Sequence, residues 1–81
     1  MILVTGGAGY IGSHCVMALL ENNNDVVIFD NLSTGHIETV QTLEKYGNVE
    51  FQQGDLTNFD DINSVFKKFN IEKVVHFAAF S

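Results

Sequence analysis

Gly6, Gly9 and Gly12 stand at intervals of three in Val4-Thr5-Gly6-Gly7-Ala8-Gly9-Tyr10-Ile11-Gly12, directly after an apolar run that begins at Met1. Glycine lets a chain turn sharply out of a strand. It also lets a pyrophosphate approach backbone with no Cβ in the way, and lets a following helix pack close to a sheet. Such a helix presents unpaired N–H groups and the positive end of its dipole to an anion. Glycines at this spacing can also be simple turn punctuation. The order of strand, glycine turn and helix is what favours a phosphate-bearing ligand, a dinucleotide, bound at this turn.

Asp30 closes the next apolar run, about 20 residues beyond the glycines. A carboxylate there accepts hydrogen bonds from ribose hydroxyls and repels a 2′-phosphate, although an aspartate at a strand end can also cap the following turn. The chain has no arginine, the usual partner of a 2′-phosphate. NAD is therefore expected over NADP. His14, His36 and His76 fall in a helix, a loop and a strand, so no pair has the spacing of a metal site, and all three read as structural or surface residues. Cys15 reads as a small hydrophobe on an apolar helix face, with no base paired to it. Neither a catalytic residue nor a metal ligand is expected.

The elements that must position these residues alternate in type, predicting α/β architecture in the order βαβαβαβ. The strands are Met1–Val4, Asp25–Asp30, Val49–Gln53 and Lys73–Ala78. The first helix, Tyr10–Leu20, is expected to bury Ile11, Cys15, Ala18 and Leu19. The second, Ile37–Tyr46, is expected to bury Ile37, Val40 and Leu43, with Gly47-Asn48 as its stop. The third is capped by Asn58, carries Asp60 and Asp61 in its first turn, and places Phe59, Ile62, Phe66 and Phe69 on one apolar face. Lys67 and Lys68 suit its C-terminal end and read as a solvated face. Right-handed crossovers between parallel strands predict a Rossmann-like sheet of order 3-2-1-4.

Bulk properties agree with a single small domain. The chain has 81 residues, 46% of them hydrophobic, which is too apolar for a disordered segment. A formal charge of -6 disfavours nucleic acid as a partner. No apolar run approaches the length of a membrane span, and the start lacks the basic region of a signal peptide. With a single cysteine, a cytoplasmic setting is expected.

Four blocks together carry a family resemblance: Thr5-Gly6-Gly7-Ala8-Gly9-Tyr10-Ile11-Gly12-Ser13-His14, Asp30-Asn31-Leu32-Ser33-Thr34-Gly35, Gly54-Asp55-Leu56 and His76-Phe77-Ala78-Ala79. They resemble the N-terminal part of the UDP-glucose 4-epimerase family, in the extended short-chain dehydrogenase/reductase superfamily. The resemblance covers the whole chain. The Thr-Gly-x-x-Gly-x-x-Gly start is shared with nucleotide-sugar dehydratases and other epimerases, whereas Tyr10-Ile11-Gly12-Ser13-His14 with Asp30-Asn31-Leu32 points more narrowly.

The resemblance implies roles at matching positions. Gly6, Gly9 and Gly12 shape a cradle for NAD, and Tyr10 and Ile11 give backbone N–H groups to its pyrophosphate. Asp30 holds the adenine ribose, with Asn31, Leu32, Ser33, Thr34 and Gly35 lining that side. Asp55 accepts from the adenine amino group while Leu56 presents backbone to the ring, although Asp55 alone reads equally well as a turn or helix-leading acid. Phe77, Ala78 and Ala79 approach the pyrophosphate and the nicotinamide ribose, in keeping with ligands that bind beyond the carboxyl ends of parallel strands.

The resemblance further implies an isomerase of galactose metabolism, interconverting UDP-glucose and UDP-galactose through a 4-keto intermediate. A Tyr-x-x-x-Lys pair supplies the proton transfer in that family, with a Ser or Thr orienting the carbonyl. Only Tyr10 and Tyr46 are present here, and the residues four places on are His14 and Glu50. Ser81 also departs from the lysine common in the family near that position. The expectation is an NAD-binding part over residues 1–81, truncated, without a substrate domain and inactive alone. A UDP-sugar partner belongs to the full-length enzyme, for which a homodimer stays open. A nucleotide-sugar 4,6-dehydratase, another nucleotide-sugar epimerase and a non-catalytic NAD-binding module are the competing readings. With the last strand's outer edge open, Val74, Val75, Phe77 and Phe80 form an aggregation hazard, and the isolated chain is expected to be marginally stable and to bind NAD weakly.

Overall fold

The computed structural model describes residues 1–33 and 35–77. Seven elements alternate along it: β1 (Ile2–Thr5), α1 (Tyr10–Glu21), β2 (Val26–Asp30), α2 (Ile37–Leu43), β3 (Val49–Gln53), α3 (Phe59–Lys68) and β4 (Lys73–His76). All strand pairings are parallel and the sheet order is β3-β2-β1-β4, as the sequence predicts. The chain steps outward from β1 to β2 to β3, then jumps back past both to β4. Crossovers of one hand therefore put α1 and α2 on one face and α3 on the other.

Packing follows that division. Val4, Val26 and Ile28 of the sheet meet Val16 and Leu20 of α1 and Val40 and Leu43 of α2. On the opposite face Leu3, Val27 and Phe29 meet Val65 of α3. All five residues of β2 are buried, because it lies inside the sheet with both faces covered. That accounts for its unbroken apolar run, while no residue of the edge strand β3 is fully buried.

Two helix faces differ from the sequence expectation. In α1 the buried residues are Gly12, Val16 and Leu20, whereas Ile11 is 68% exposed and Ala18 is exposed. The helix is apolar nearly all round, so periodicity alone does not choose a face. Close contact of Gly12 with the glycine turn chooses it, and turns Ile11 outward. In α3 the sheet-facing residues are Ile62, Val65 and Phe69, and Phe59 and Phe66 are exposed. Phe66 sits about 100° round the helix from Val65, outside the narrow strip that a single helix presents to a sheet.

Element ends have local causes. Asn22 and Asn24 stop α1 by donating side-chain N–H groups to the carbonyls of Ala18 and Leu19, and Asn23 between them takes the left-handed conformation that asparagine tolerates. α2 ends at Leu43 rather than Tyr46, and Ile37 is exposed at its start. Asn58 caps α3 as expected, its Oδ1 accepting from Asp61 N at 3.2 Å. β4 stops at His76, so Phe77 lies beyond it.

Candidate functional site

The glycine turn leaves β1 where Gly6 N donates to Phe29 O of β2 at 2.9 Å. Gly6 has φ 74, a conformation that a side chain disfavours, and Gly9 N closes the turn by donating to Gly6 O at 3.1 Å. The bond from Ser13 N to Gly9 O is the first i to i−4 bond of α1. The N–H groups of Tyr10, Ile11 and Gly12 precede it and have no acceptor within the helix. Gly9 supplies no side-chain cap and the first turn holds no acidic residue, so the positive helix end is left for an external anion. A Cβ on Gly12 would stand 2.2 Å from Gly6 O, so its absence lets α1 start directly on the turn.

Asp30 ends β2 beside this turn and is 8% exposed. Its Oδ2 accepts from Ala8 N at 3.1 Å and its Oδ1 from Leu32 N at 2.7 Å. An ionised carboxylate offers about four lone-pair sites, so each oxygen keeps capacity for a further donor such as a ribose hydroxyl. The two readings of Asp30 in the sequence, turn cap and ribose acceptor, are therefore compatible. Leu32 has φ 63, unusual for a branched side chain and costing about 1 kcal/mol or more. The bond to Asp30 Oδ1 and partial burial of its side chain against the α1–α2 core hold it there. Asn31 Oδ1 accepts from Ser33 N at 2.9 Å, continuing the tight loop, and both residues are exposed.

Along the same edge, Gly54 N donates to Asp30 O at 3.2 Å, bringing the end of β3 beside that of β2. The exposed Asp55 follows. Its Oδ1 accepts from Thr57 N and from Thr57 Oγ1, both at 2.8 Å. The backbone bond foremost, then the hydroxyl, hold the Asp55 carboxyl below its ordinary value. Leu56 is half-buried against the α3 side of the core.

At the other side of the turn, β1 and β4 meet where the strand order reverses, which is where parallel sheets open a crevice. Phe77 N donates to Thr5 O at 2.8 Å, and the buried Thr5 places Oγ1 2.5 Å from His76 Nδ1. Phe77 is half-buried against the core. Thr34, Ala78 and Ala79, implicated by the resemblance, lie outside the described residues, as does Phe80.

The structure thus gathers the glycine turn, Asp30 to Ser33, Asp55 and Phe77 on one edge of the sheet. His14 packs edge-on against Tyr10 at the start of α1, with ring centroids 4.8 Å apart. Among the described residues no group of three His, Cys, Asp or Glu could hold a metal ion, and no helix is long and apolar enough to cross a membrane. A groove of about 170 Å³ between α1 and α2, lined by Ser13, His14, Met17, Thr39, Thr42 and Leu43, holds none of the residues expected at a nucleotide. Ala8 is the residue that sequence reasoning missed. It is 2% exposed and its backbone joins the turn to Asp30, but its side chain carries no chemistry that a motif could flag.

Comparison with known proteins follows the same lines. Residues 3–81 match the model of a family described as GDP-mannose 4,6 dehydratase. The chain is 49% identical over 79 residues to a UDP-glucose 4-epimerase of Erwinia amylovora, a match covering 95% of this chain and 23% of that protein. With the UDP-glucose 4-epimerase of Lacticaseibacillus casei it shares 48% identity over 80 residues, 99% of this chain and 23% of that one. The crystal structure of UDP-glucose 4-epimerase from Bifidobacterium longum in complex with NAD+ and UDP superposes with a TM-score of 0.93 at 33% identity, over 99% of this chain and 24% of that chain. The chain thus spans about a quarter of the length of the relatives it matches.

Proposed function

Because the chain belongs to the GDP-mannose 4,6 dehydratase family, we propose that residues 1–81 are the NAD-binding, Rossmann-like part of a UDP-glucose 4-epimerase and turn nothing over by themselves. The observation that carries this reading is the pairing of an uncapped helix start with a buried Asp30, fixed beside it by Ala8 N and Leu32 N. In this reading the N–H groups of Tyr10 and Ile11 hold the pyrophosphate, and Asp30 accepts from the adenine ribose through its remaining lone pairs. Asn31, Leu32, Ser33, Thr34 and Gly35 form that wall. Asp55, held by Thr57 N and Thr57 Oγ1, accepts from the adenine amino group beside the Leu56 backbone. Phe77, Ala78 and Ala79 bound the nicotinamide side.

NAD, when bound, supplies a hydride acceptor and donor. The chain itself supplies binding and orientation, since neither tyrosine has, four places on, the lysine whose charge would ready it for proton transfer. Epimerisation of UDP-glucose and UDP-galactose, a role in galactose metabolism, a cytoplasmic setting and a homodimer belong to the longer polypeptide in this reading. A nucleotide-sugar 4,6-dehydratase is the second reading, favoured by the description of the family model.

The test is an Asp30→Ala variant. Its affinity for NAD is expected to fall about ten- to a hundredfold, the worth of hydrogen bonds to a charged group. Undiminished affinity contradicts the ribose role. Incubation of the chain with NAD and UDP-galactose is expected to yield no UDP-glucose, and turnover by this chain alone defeats the proposal of a purely binding part.

A further inference from the structure

The glycine turn and the loop after β2 are far apart in sequence but meet at Ala8. Its N–H is held by Asp30 Oδ2, and its carbonyl accepts from His36 N at 3.3 Å. Gly35 seats against it from the same loop: a Cβ on Gly35 would stand 2.6 Å from both the carbonyl carbon and the carbonyl oxygen of Ala8, and 2.8 Å from its Cβ. Those neighbours are mainly backbone, so a side chain at Gly35 cannot be absorbed by a rotamer change. The two loops would have to part. Gly35 is itself buried, so it supports the turn from beneath.

We infer that Gly35 is a positioning residue for dinucleotide binding: its missing side chain seats the β2–α2 loop on Ala8 and thereby fixes the phosphate turn of a different loop. The inference rests on the reading of this edge as an NAD site. It has a consequence for the ligand. The adenosine side, built on Asp30 and the β2–α2 loop, and the pyrophosphate side, built on Gly6 to Gly12, are held in one arrangement before any ligand arrives, so parting the two loops weakens a ligand that spans both.

Amide-resolved NMR on the whole chain tests this with Gly35→Ala and NAD. In the variant, exchange of the Ala8 amide is expected to quicken about tenfold while the sheet amides of Val4 and Val27 keep their protection. NAD should shift Tyr10 and Ile11 only at about tenfold higher concentration than in the unaltered chain. Unchanged Ala8 exchange, or NAD shifting Tyr10 and Ile11 at the same concentration in both chains, overturns the inference while the NAD reading stands. Loss of Val4 and Val27 protection along with Ala8 makes Gly35 a general folding residue and overturns it too. No response of the unaltered chain to NAD defeats the NAD reading itself, and the inference with it.

Discussion

Asp30 serves the fold and, on the proposed reading, a ligand as well. Its oxygens hold Ala8 N and Leu32 N, so the carboxylate is oriented before any ribose arrives. Asp30→Asn keeps the shape but loses the charge and one acceptor face, and is expected to narrow the preference for NAD over NADP, as read by parallel titrations. Asp55 gives a pH prediction. Its carboxyl is lowered by the bonds from Thr57 N and Thr57 Oγ1, so it stabilises the loop before α3 above the unfolded aspartate value of about 3.9 and loses that contribution as pH falls through the lower folded value. Thermal melts between about pH 5 and 2 should therefore show the unaltered chain converging on Asp55→Asn as the pH drops. A constant gap between the two would contradict the assignment. Gly6, Asp30 and Asp55 were legible in the sequence, because their residue types carry the chemistry. Ala8 and the left-handed Leu32 were not, since their contributions are made by backbone.

Helix faces were legible only where a single stripe of residues is apolar. Strand order, the Asn58 cap and the charged ends of α3 followed from local chemistry and crossover handedness. The buried faces of α1 and α3 did not, because both helices carry more apolar residues than the sheet covers, and tertiary contact selects among them. Val65 is 1% exposed and is the buried anchor of α3. Val65→Ala removes two methyl groups and leaves a cavity, and is expected to cost about 2 kcal/mol by chemical denaturation. Phe66→Ala, at an exposed position one residue on, should cost under about 1 kcal/mol. Equal losses would return Phe66 to the core face. Gly12→Ala places a Cβ against Gly6 O and is expected to destabilise by about 1–3 kcal/mol through overpacking at the turn.

At the scale of the molecule, two thin cores lie on a four-stranded sheet, and β4 pairs on one side with β1. Val74 on β4 is 52% exposed, and Phe59 and Phe66 add exposed apolar area on α3. Open strand edges of this kind template association, and charge on them opposes it. Val74→Lys is accordingly expected to raise the concentration at which the chain sediments as a monomer, and an unchanged profile would remove the edge from the account. The family relationship covers about a quarter of the relatives' length, and within that quarter the chain has the proposed cradle and no Tyr-x-x-x-Lys pair. On the proposed reading, a cradle with only Phe77 to Ala79 toward the nicotinamide should hold its ligand weakly. The most direct measurement is a calorimetric titration of the chain with NAD and, in parallel, with NADP. Saturable binding of NAD, weaker than micromolar and clearly tighter than that of NADP, is the result the account predicts. Equal affinity for the two, or no binding of NAD, would contradict it.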